Sequence, residues 1–202
     1  RRRKQKRRKI PSDDDDESHD YIYSCSADGY IKKWNVTTGK MSKSFCARPN
    51  VSVSVLKQNN SDDSIISMAI ATDLNLLFGA GRNMHLLVWD LKTCHLLQKI
   101  SHAHSDSITS LKYNAAQQLL YTASIDSSIK VWNPIMLARE EALKERTKSS
   151  MFIGCIQQQD FTKIKVLQFL HANDAKRVKL VAGDFDGNII VLDIAKLQKK
   201  DN

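Results

Sequence analysis

The chain has 202 residues, 42% of them hydrophobic, and a formal net charge of +9. That apolar fraction is enough for a packed core, and because no run of about 18 apolar residues occurs we expect no membrane-spanning helix. Its cysteines show no paired spacing, so we expect reduced thiols in the cytosol or nucleus and neither disulfides nor a zinc site. They are Cys25, Cys46, Cys94 and Cys155.

The first twenty residues carry two blocks of opposite charge. Residues 1–9 contain eight basic side chains, which are Arg1, Arg2, Arg3, Lys4, Lys6, Arg7, Arg8 and Lys9. Six acids follow within residues 13–20. Charge blocks this dense do not bury a core, so we expect residues 1–20 to be a disordered loop or tail. The basic block is typical of a nuclear-import signal or a phosphate-binding arm, and a solvated insertion without a specific role is the alternative.

Short apolar stretches separated by polar turns predict a series of β-strands from Tyr21 onward. The first strand is Tyr21–Ser26. A second group follows at Ile65–Ile70, Leu76–Ala80, Leu86–Trp89 and Cys94–Ile100. A third group follows at Ser107–Tyr113, Leu119–Ser124 and Ile129–Trp132. The short turns between these strands indicate antiparallel meanders of four strands.

Two insertions interrupt the series of strands. Arg48–Asp63 lies between the first and second groups, and Pro134–Ser150 separates the third and fourth strands of the third group. The second insertion predicts a helix, because it is rich in helix formers, Pro134 suits a first turn, and Glu140 and Lys144 form a favourable i,i+4 pair. We expect this helix either to cover its own group of strands or to bind a partner.

Four segments share one short pattern, in which a turn residue is followed six positions later by a large apolar residue that closes a strand. The pairs are Asp28 and Trp34, Asn83 and Trp89, Asp126 and Trp132, and Asp186 and Leu192. All three tryptophans of the chain lie at closing positions, and each is followed by Asn or Asp. Four copies in the same register indicate an internal repeat.

The tryptophan motifs are also the basis of a family resemblance. They are Ile31–Asn35, Val88–Asp90 and Ile129–Asn133, with Ser-x-Asp turns at Ser26–Asp28 and Ser124–Asp126. In these motifs the chain resembles the WD40-repeat family, over about residues 21–198. The resemblance implies an all-β fold of WD40-type β-propeller blades, each a four-stranded antiparallel meander beside a central channel.

The resemblance also implies how many blades are present and how the loops are distributed. About three to four blades are expected, at approximately residues 21–47, 64–100, 102–160 and 162–202, with one short helical insertion. Closed propellers have about four to eight blades, so we expect a piece of a larger protein or a ring that a partner chain completes. Arg48–Asp63, Arg82 and His102–Asp106 would share one face, and the charge blocks, the helix and Leu170–Arg177 the opposite one.

A hydrogen-bonded chain inside each blade is a further implication of the resemblance. It runs from a His before the first strand through a Ser or Thr to the turn Asp and the closing Trp. Only the third copy holds a full set: His104 (with His102 as the alternative), Ser124 or Thr122, Asp126 and Trp132. The other copies keep Asp28, Trp34, Trp89 and Asp186. A buried polar group without a partner costs about 1–3 kcal/mol, so we expect these residues to stabilise the fold.

No catalytic signature stands out in the sequence, since the nucleophile-elbow, phosphate-loop and zinc-protease motifs do not occur. We therefore expect a protein without enzymatic activity, cofactor, metal or small-molecule substrate. The leading hypothesis is a scaffold that mediates protein–protein interactions in a multi-subunit assembly, without membrane contact.

Two other functions stay open. One is an RNA-associated subunit of a nuclear or nucleolar ribonucleoprotein of the ribosome-assembly type, with Arg1 to Lys4, Arg7, Arg8 and Arg82 as partner or phosphate contacts. The other is a substrate receptor of a cullin ubiquitin ligase. The resemblance then implies an Arg three places after the closing Trp, where this chain has Thr37, Lys92 and Ile135. The basic block favours the nucleus, including the nucleolus, with the cytoplasm as the alternative.

Overall fold

The computed structural model describes residues 20–48, 63–138, 151–157, 162–171 and 178–193. Within these ranges the chain forms fourteen β-strands and one short helix, α1 (Pro134–Leu137). The strands are β1 Tyr21–Cys25, β2 Tyr30–Asn35, β3 Met41–Cys46, β4 Ser67–Ala71, β5 Leu76–Ala80, β6 Leu86–Asp90, β7 Leu96–Ile100, β8 Ile108–Asn114, β9 Leu119–Ser124, β10 Ser128–Trp132, β11 Phe152–Gln157, β12 Ile164–His171, β13 Val178–Asp184 and β14 Ile189–Asp193.

The strands assemble into four antiparallel sheets that follow one another along the chain. Sheet 1 contains β1 to β3, sheet 2 contains β4 to β7, sheet 3 contains β8 to β11, and sheet 4 contains β12 to β14. In every sheet each strand pairs with the strand next to it in sequence, as a meander does. The expectation of an all-β fold built from blade-like meanders is therefore confirmed.

The observed strands differ from the predicted ones mainly at their ends. Cys94 was expected to begin a strand, but its φ of 61° and its N–H bond to the Asp90 carbonyl place it in a turn. Ile65 and Ile66 were also expected in a strand, but their N–H groups bond to Ser26 and Ala80, outside the regular ladder. Both differences arise where the chain leaves one sheet for another or reverses direction.

Neighbouring sheets stack face to face. Adjacent residues of one strand pack into two different interfaces, one with the preceding sheet and one with the following sheet. Leu77 packs between sheets 1 and 2, whereas Phe78 packs between sheets 2 and 3. Likewise, Leu120 faces sheet 2 and Tyr121 faces sheet 4. This follows from the two-residue period of a strand, which sends successive side chains to opposite faces. For the same reason the central strands β5 and β9 are buried along their whole length.

The closing residues occupy equivalent places in this stack. Trp89 packs against sheet 1, Trp132 against sheet 2 and Leu192 against sheet 3, so each faces the sheet that precedes its own. Trp34 lies opposite Ile22 in the register of sheet 1, and Ile22 is 59% exposed. The repeated spacing in the sequence thus corresponds to a repeated position in space.

Serines on the first strands of sheets 2 and 3 bond to the backbone of the next sheet. The Ser67 hydroxyl accepts the Leu111 N–H at 2.9 Å, and the Ser110 hydroxyl accepts the Leu167 N–H at 3.1 Å. Strand register places Val166 at the corresponding position of sheet 4, where it is 52% exposed. The stacking is therefore fixed by polar as well as apolar contacts between sheets 2, 3 and 4.

One edge of the stack holds both the connections between sheets and the turns before the closing strands, and we call it the connection face. Here Ile65 N–H donates to Ser26 O at 3.1 Å, and Ile108 N–H donates to Gly81 O at 3.0 Å. At sheet 4, Phe185 N–H donates to Lys163 O at 2.9 Å. Each connection is thus tied to a turn of an adjoining sheet.

The short helix α1 lies at the opposite edge, after β10. The Asn133 side chain caps it by accepting the N–H groups of Ile135 and Met136, and Pro134 occupies the first turn. The rest of the predicted helix, residues 139–150, lies outside the described residues, as do the charge blocks of residues 1–19. No helix in the described part of the chain is long and apolar enough to span a bilayer.

Candidate functional site

The third sheet contains a buried network centred on His104. The His104 side chain is fully enclosed, with its Nδ1 atom 2.9 Å from Asp126 Oδ2 and its Nε2 atom 2.7 Å from Thr122 Oγ1. The Trp132 indole N–H donates to the same Thr122 oxygen at 2.9 Å. A chain of four side chains therefore connects the Asp126 turn to the closing tryptophan.

One protonation pattern satisfies every group in this network. If Nδ1 carries the imidazole proton, His104 donates to the Asp126 carboxylate and accepts the Thr122 hydroxyl proton at Nε2. The Thr122 oxygen then accepts the Trp132 N–H with a lone pair. No donor or acceptor in the set is left without a partner, so the network stabilises the buried edge of the sheet.

Asp126 is the charged end of the network. Its carboxylate also accepts Ser105 N–H at 3.0 Å, Ser128 N–H at 3.0 Å and the Ser128 hydroxyl at 2.6 Å. Burial by itself would raise the pKa of Asp126, but the hydrogen bonds from His104, Ser128 and Ser105 outweigh it and hold the pKa far below its usual range. Asp126 thereby links Ser105, in the connection between sheets 2 and 3, to the turn at residues 125–128.

Of the two hydroxyl residues proposed for this network, the structure selects Thr122. Ser124 lies two residues further along β9, where its hydroxyl donates to Asp106 O at 3.1 Å and accepts Asp126 N–H at 3.1 Å. Because alternate residues along a strand share a face but are displaced along its axis, Thr122 and not Ser124 lies within hydrogen-bonding distance of the indole. His102, the alternative histidine, is exposed and lies against His85.

The hydrogen-bonded network around His104 is not accessible to a substrate. A histidine between a carboxylate and a hydroxyl has the composition of a hydrolytic triad, but Thr122 is 0% exposed and His104 is 1% exposed. The Thr122 oxygen is also occupied by the indole N–H. In this sheet the three groups act as structural hydrogen-bonding partners.

The indole N–H groups of the other two tryptophans have different hydrogen-bond acceptors. The residue ten positions earlier in the sequence determines which acceptor each one has. For Trp34 that residue is Ser24, whose hydroxyl accepts the indole N–H at 2.9 Å. For Trp89 it is Gly79, which has no side chain, and the indole donates instead to Cys46 O of sheet 1 at 3.0 Å. A Cβ on Gly79 would lie 2.9 Å from Trp89 Cζ3, so the glycine also provides the space for the ring.

The turn residues of sheets 1 to 3 accept the N–H two positions ahead. Asp28 Oδ1 accepts Tyr30 N–H at 3.0 Å, and Asn83 Oδ1 accepts His85 N–H at 3.2 Å, as Asp126 does from Ser128. Each is an Asx-type turn that shapes the reversal between two strands.

Sheet 4 departs from the prediction that Asp186 would be its turn aspartate. There Asp184 accepts the N–H groups of Asp186 and Asn188, the Asn188 side-chain amide and the Thr162 hydroxyl. Asp184 is buried, whereas Asp186 is exposed. The Asn188 side-chain amide and backbone, followed by the hydroxyl of Thr162, hold the pKa of Asp184 below its ordinary value despite some opposition from burial.

The connection face carries a group of basic residues at the cleft between sheets 1 and 2. Arg48 follows the last strand of sheet 1 and forms an ion pair with Asp63. His85 precedes β6, and its ring lies 6.1 Å from that of His102. Lys99, on β7, lies opposite Leu87, which packs between the two sheets. We call Arg48, His85, Lys99 and His102 the cleft cluster.

Electrostatics within the cleft cluster reflect its crowding. Burial lowers the pKa of His85, and the positive charges of Lys99 and His102 lower it further. Burial also lowers the pKa of Lys99, with a further contribution from Arg48.

Only Arg82 of the predicted contact residues is described; it is exposed and precedes the Asn83 turn on this face. Arg1, Arg2, Arg3, Lys4, Arg7 and Arg8 lie outside the described residues.

Sequence reasoning missed two features of this face. Asp184 could have been found by its position, since it stands two residues before the turn residue, as Ser26 and Ser124 do. The cleft cluster has no comparable signal, because Arg48 and Lys99 are distant in sequence and meet only when sheets 1 and 2 stack.

Comparison with known proteins agrees with this architecture. The family model described as "WD domain, G-beta repeat" matches residues 15–35 and 95–133. A WD repeat domain-containing protein 83 homolog from Dictyostelium discoideum is 28% identical over 113 residues, covering 56% of this chain and 30% of that protein. An uncharacterized WD repeat-containing protein from Schizosaccharomyces pombe is 26% identical over 115 residues, covering 56% and 27% respectively.

Other similarities extend to proteins of different overall construction. The human kinesin-like protein KIF21B is 29% identical over 118 residues, which cover 57% of this chain and 6% of that protein. The chain thus spans less than a third of each of these relatives. A solved structure titled "Structure of U3-55K" superposes with a TM-score of 0.56 at 18% identity, over 85% of this chain and 47% of that one. The stacked meanders, the equivalent closing residues and the matched repeat model agree, and the chain is therefore similar to WD40-repeat proteins in its motifs and in the arrangement of its sheets.

Proposed function

We propose that the protein is a non-enzymatic scaffold that holds protein partners in a multi-subunit assembly, chiefly through its connection face. The observation that carries the proposal is the enclosure of the His104 network. Its polar groups satisfy one another inside sheet 3, so they serve the fold and are not available for chemistry at a surface. Exposed polar residues of the connection face, among them Arg82, Ser105 and Asp106, lie on connections and turns, where binding residues of rigid folds are commonly found.

A second candidate function is supported by the charge distribution. Eight of the first nine residues are basic and the net charge is +9, a composition that suits contact with RNA phosphates. Under this alternative the protein is an RNA-associated subunit of a nuclear or nucleolar ribonucleoprotein. The cullin-receptor alternative is weaker, because Thr37, Lys92 and Ile135 stand where that subgroup carries Arg.

One experiment separates the two leading functions. The tagged full-length protein is expressed in cells of its source organism and its assembly is fractionated by size before and after nuclease digestion. We expect the scaffold to stay in a large assembly after digestion, with partners that crosslinking and mass spectrometry place on the 81–85 and 101–107 segments. Release of the protein as a monomer by nuclease would refute the scaffold and favour the RNA-associated function.

A further inference from the structure

The cleft cluster is formed by residues of two sheets and lies beside the packed interface between them. Arg48 comes from the end of sheet 1, while Lys99 and His102 lie on and just after the last strand of sheet 2. Beneath them the Trp89 indole N–H donates to Cys46 O at 3.0 Å, which joins the two sheets. Trp89 is fully buried, so the basic groups lie beside a packed interface between the two sheets.

Among the residues that the structure describes, the cleft cluster has more basic groups than acids beside them. Asp63 makes an ion pair with Arg48 and accepts a hydrogen bond from Asn83 at 3.4 Å. Lys99 and His102 extend beyond this pair and are exposed. Burial is the main cause that lowers the pKa values of His85 and Lys99. The charges of Lys99 and His102 lower that of His85 further, and the charge of Arg48 lowers that of Lys99 further, so a bound anion would relieve this repulsion.

His85 adds a second and independent observation. Its Nδ1 atom is buried and has no hydrogen-bond partner among the described residues. An imidazolium carries N–H groups on both nitrogens, so burial of this nitrogen without an acceptor disfavours the charged ring. A negative group beside the ring would offset that cost by direct attraction. The site thus has a titratable group whose state reports the arrival of an anion.

We propose that the cleft cluster binds a single carboxylate side chain of a protein partner. The proposal rests on the scaffold function and names the chemistry of one partner contact. Lys99 and His102 would contact the carboxylate, and His85 would respond to its charge. Arg48, already paired with Asp63, would contribute at longer range.

A carboxylate fits this face better than a nucleic-acid backbone. Asp28, Asp106 and Asp186 are exposed on turns and connections of the same face, so negative charge recurs from one sheet to the next. A run of phosphates would pass these carboxylates and be repelled at each. A single carboxylate at the cleft cluster requires no run of negative charge along this face.

The test is a nuclear magnetic resonance titration of the purified full chain with histidine rings labelled. The probe is an acetylated, amidated peptide with one glutamate among glycine and serine residues at low ionic strength, compared with a six-nucleotide single-stranded RNA. We expect the peptide to raise the pKa values of His85 and His102. Lys99→Ala should weaken binding by about two- to fivefold, the range of an exposed ion pair. Lys92→Ala, an exposed lysine at the opposite end of sheet 2, should leave it unchanged.

The outcomes distinguish this proposal from the scaffold function. Peptide addition that leaves both histidine pKa values unmoved would overturn the carboxylate site, as would equal weakening by Lys92→Ala and Lys99→Ala. Tighter binding of the RNA to the same histidines would overturn it in favour of phosphate. None of these results requires the nuclease-resistant assembly to dissociate. The proposed scaffold function would therefore remain supported although the carboxylate site was refuted. Release of the protein from that assembly by nuclease would instead refute the scaffold function, whatever the result of the peptide titration.

Discussion

Thr122 and Trp132 are joined by a 2.9 Å hydrogen bond from the indole N–H to the hydroxyl oxygen, inside a sheet where both side chains are buried. The same oxygen meets His104 at 2.7 Å. One hydroxyl therefore links the closing residue of the repeat to the turn that precedes it. The predictions below test this linkage and its counterparts in the other sheets.

Replacing Thr122 with Val should destabilise the protein by about 1–3 kcal/mol. The side chain keeps nearly the same shape, but the Trp132 N–H and His104 Nε2 lose their buried partner. Urea denaturation followed by tryptophan fluorescence measures the loss. Thr37→Val is the matched control, because Thr37 is exposed, and it should change stability by no more than about 0.5 kcal/mol. Equal midpoints for the two variants would rule out a structural role for the hydroxyl.

Asp126 should make the stability of the protein dependent on acid pH. Its pKa is lower in the folded than in the unfolded state, so the stabilisation it provides is complete above a pH of about 4 and declines as the pH falls further. Asp126→Ala should cost about 1–3 kcal/mol at neutral pH. It should also flatten the loss of stability below pH 4, measured by urea melts at several pH values. An unchanged midpoint and an unchanged acid slope would contradict the assignment.

The turn of sheet 4 should depend on Asp184 and not on Asp186. Asp184 accepts the turn N–H groups of Asp186 and Asn188 as well as the Thr162 hydroxyl, whereas Asp186 is exposed. Asp184→Ala should therefore lower the urea midpoint clearly more than Asp186→Ala does. The reverse order would restore Asp186 as the turn aspartate.

Gly79 should not tolerate a methyl group. An added Cβ would lie 2.9 Å from Trp89 Cζ3, 3.1 Å from Ile31 Cδ1 and 3.2 Å from Ile65 Cγ2, all in the core between sheets 1 and 2. Gly79→Ala should therefore cost about 1–3 kcal/mol through overpacking. Gly154→Ala, where a Cβ meets nothing within 4 Å, is the control. Thermal melts of the two variants at equal concentration make the comparison, and coincident curves would show that the space beside Trp89 is not needed.

The basic block should direct the protein to the nucleus. Deleting residues 1–9 removes eight positive charges, and a fluorescently tagged variant should move to the cytoplasm. A second variant with the acids of residues 13–17 replaced by their amides should stay nuclear, since the signal needs only the basic side chains. Unchanged nuclear fluorescence after the deletion would end the import hypothesis.

The sequence by itself determined most strands of the second and third sheets, the repeat and the place of each closing residue, because these follow from short-range patterns. Leu119–Ser124 was predicted as a strand with the ends it has in the structure. Alternation along a strand and turn chemistry over four residues need no knowledge of what packs above them. The family resemblance added how successive meanders are arranged.

Tertiary structure alone decided which polar groups meet. The choice of Thr122 over Ser124, and the bond from Trp89 to Cys46 O, depend on how far strands shift against one another and how closely two sheets approach. The cleft cluster is a further case, since Arg48 and Lys99 lie on different sheets. Hydrogen bonds and charge interactions act over a few ångströms, and only the packed sheets bring residues so distant in sequence within that range.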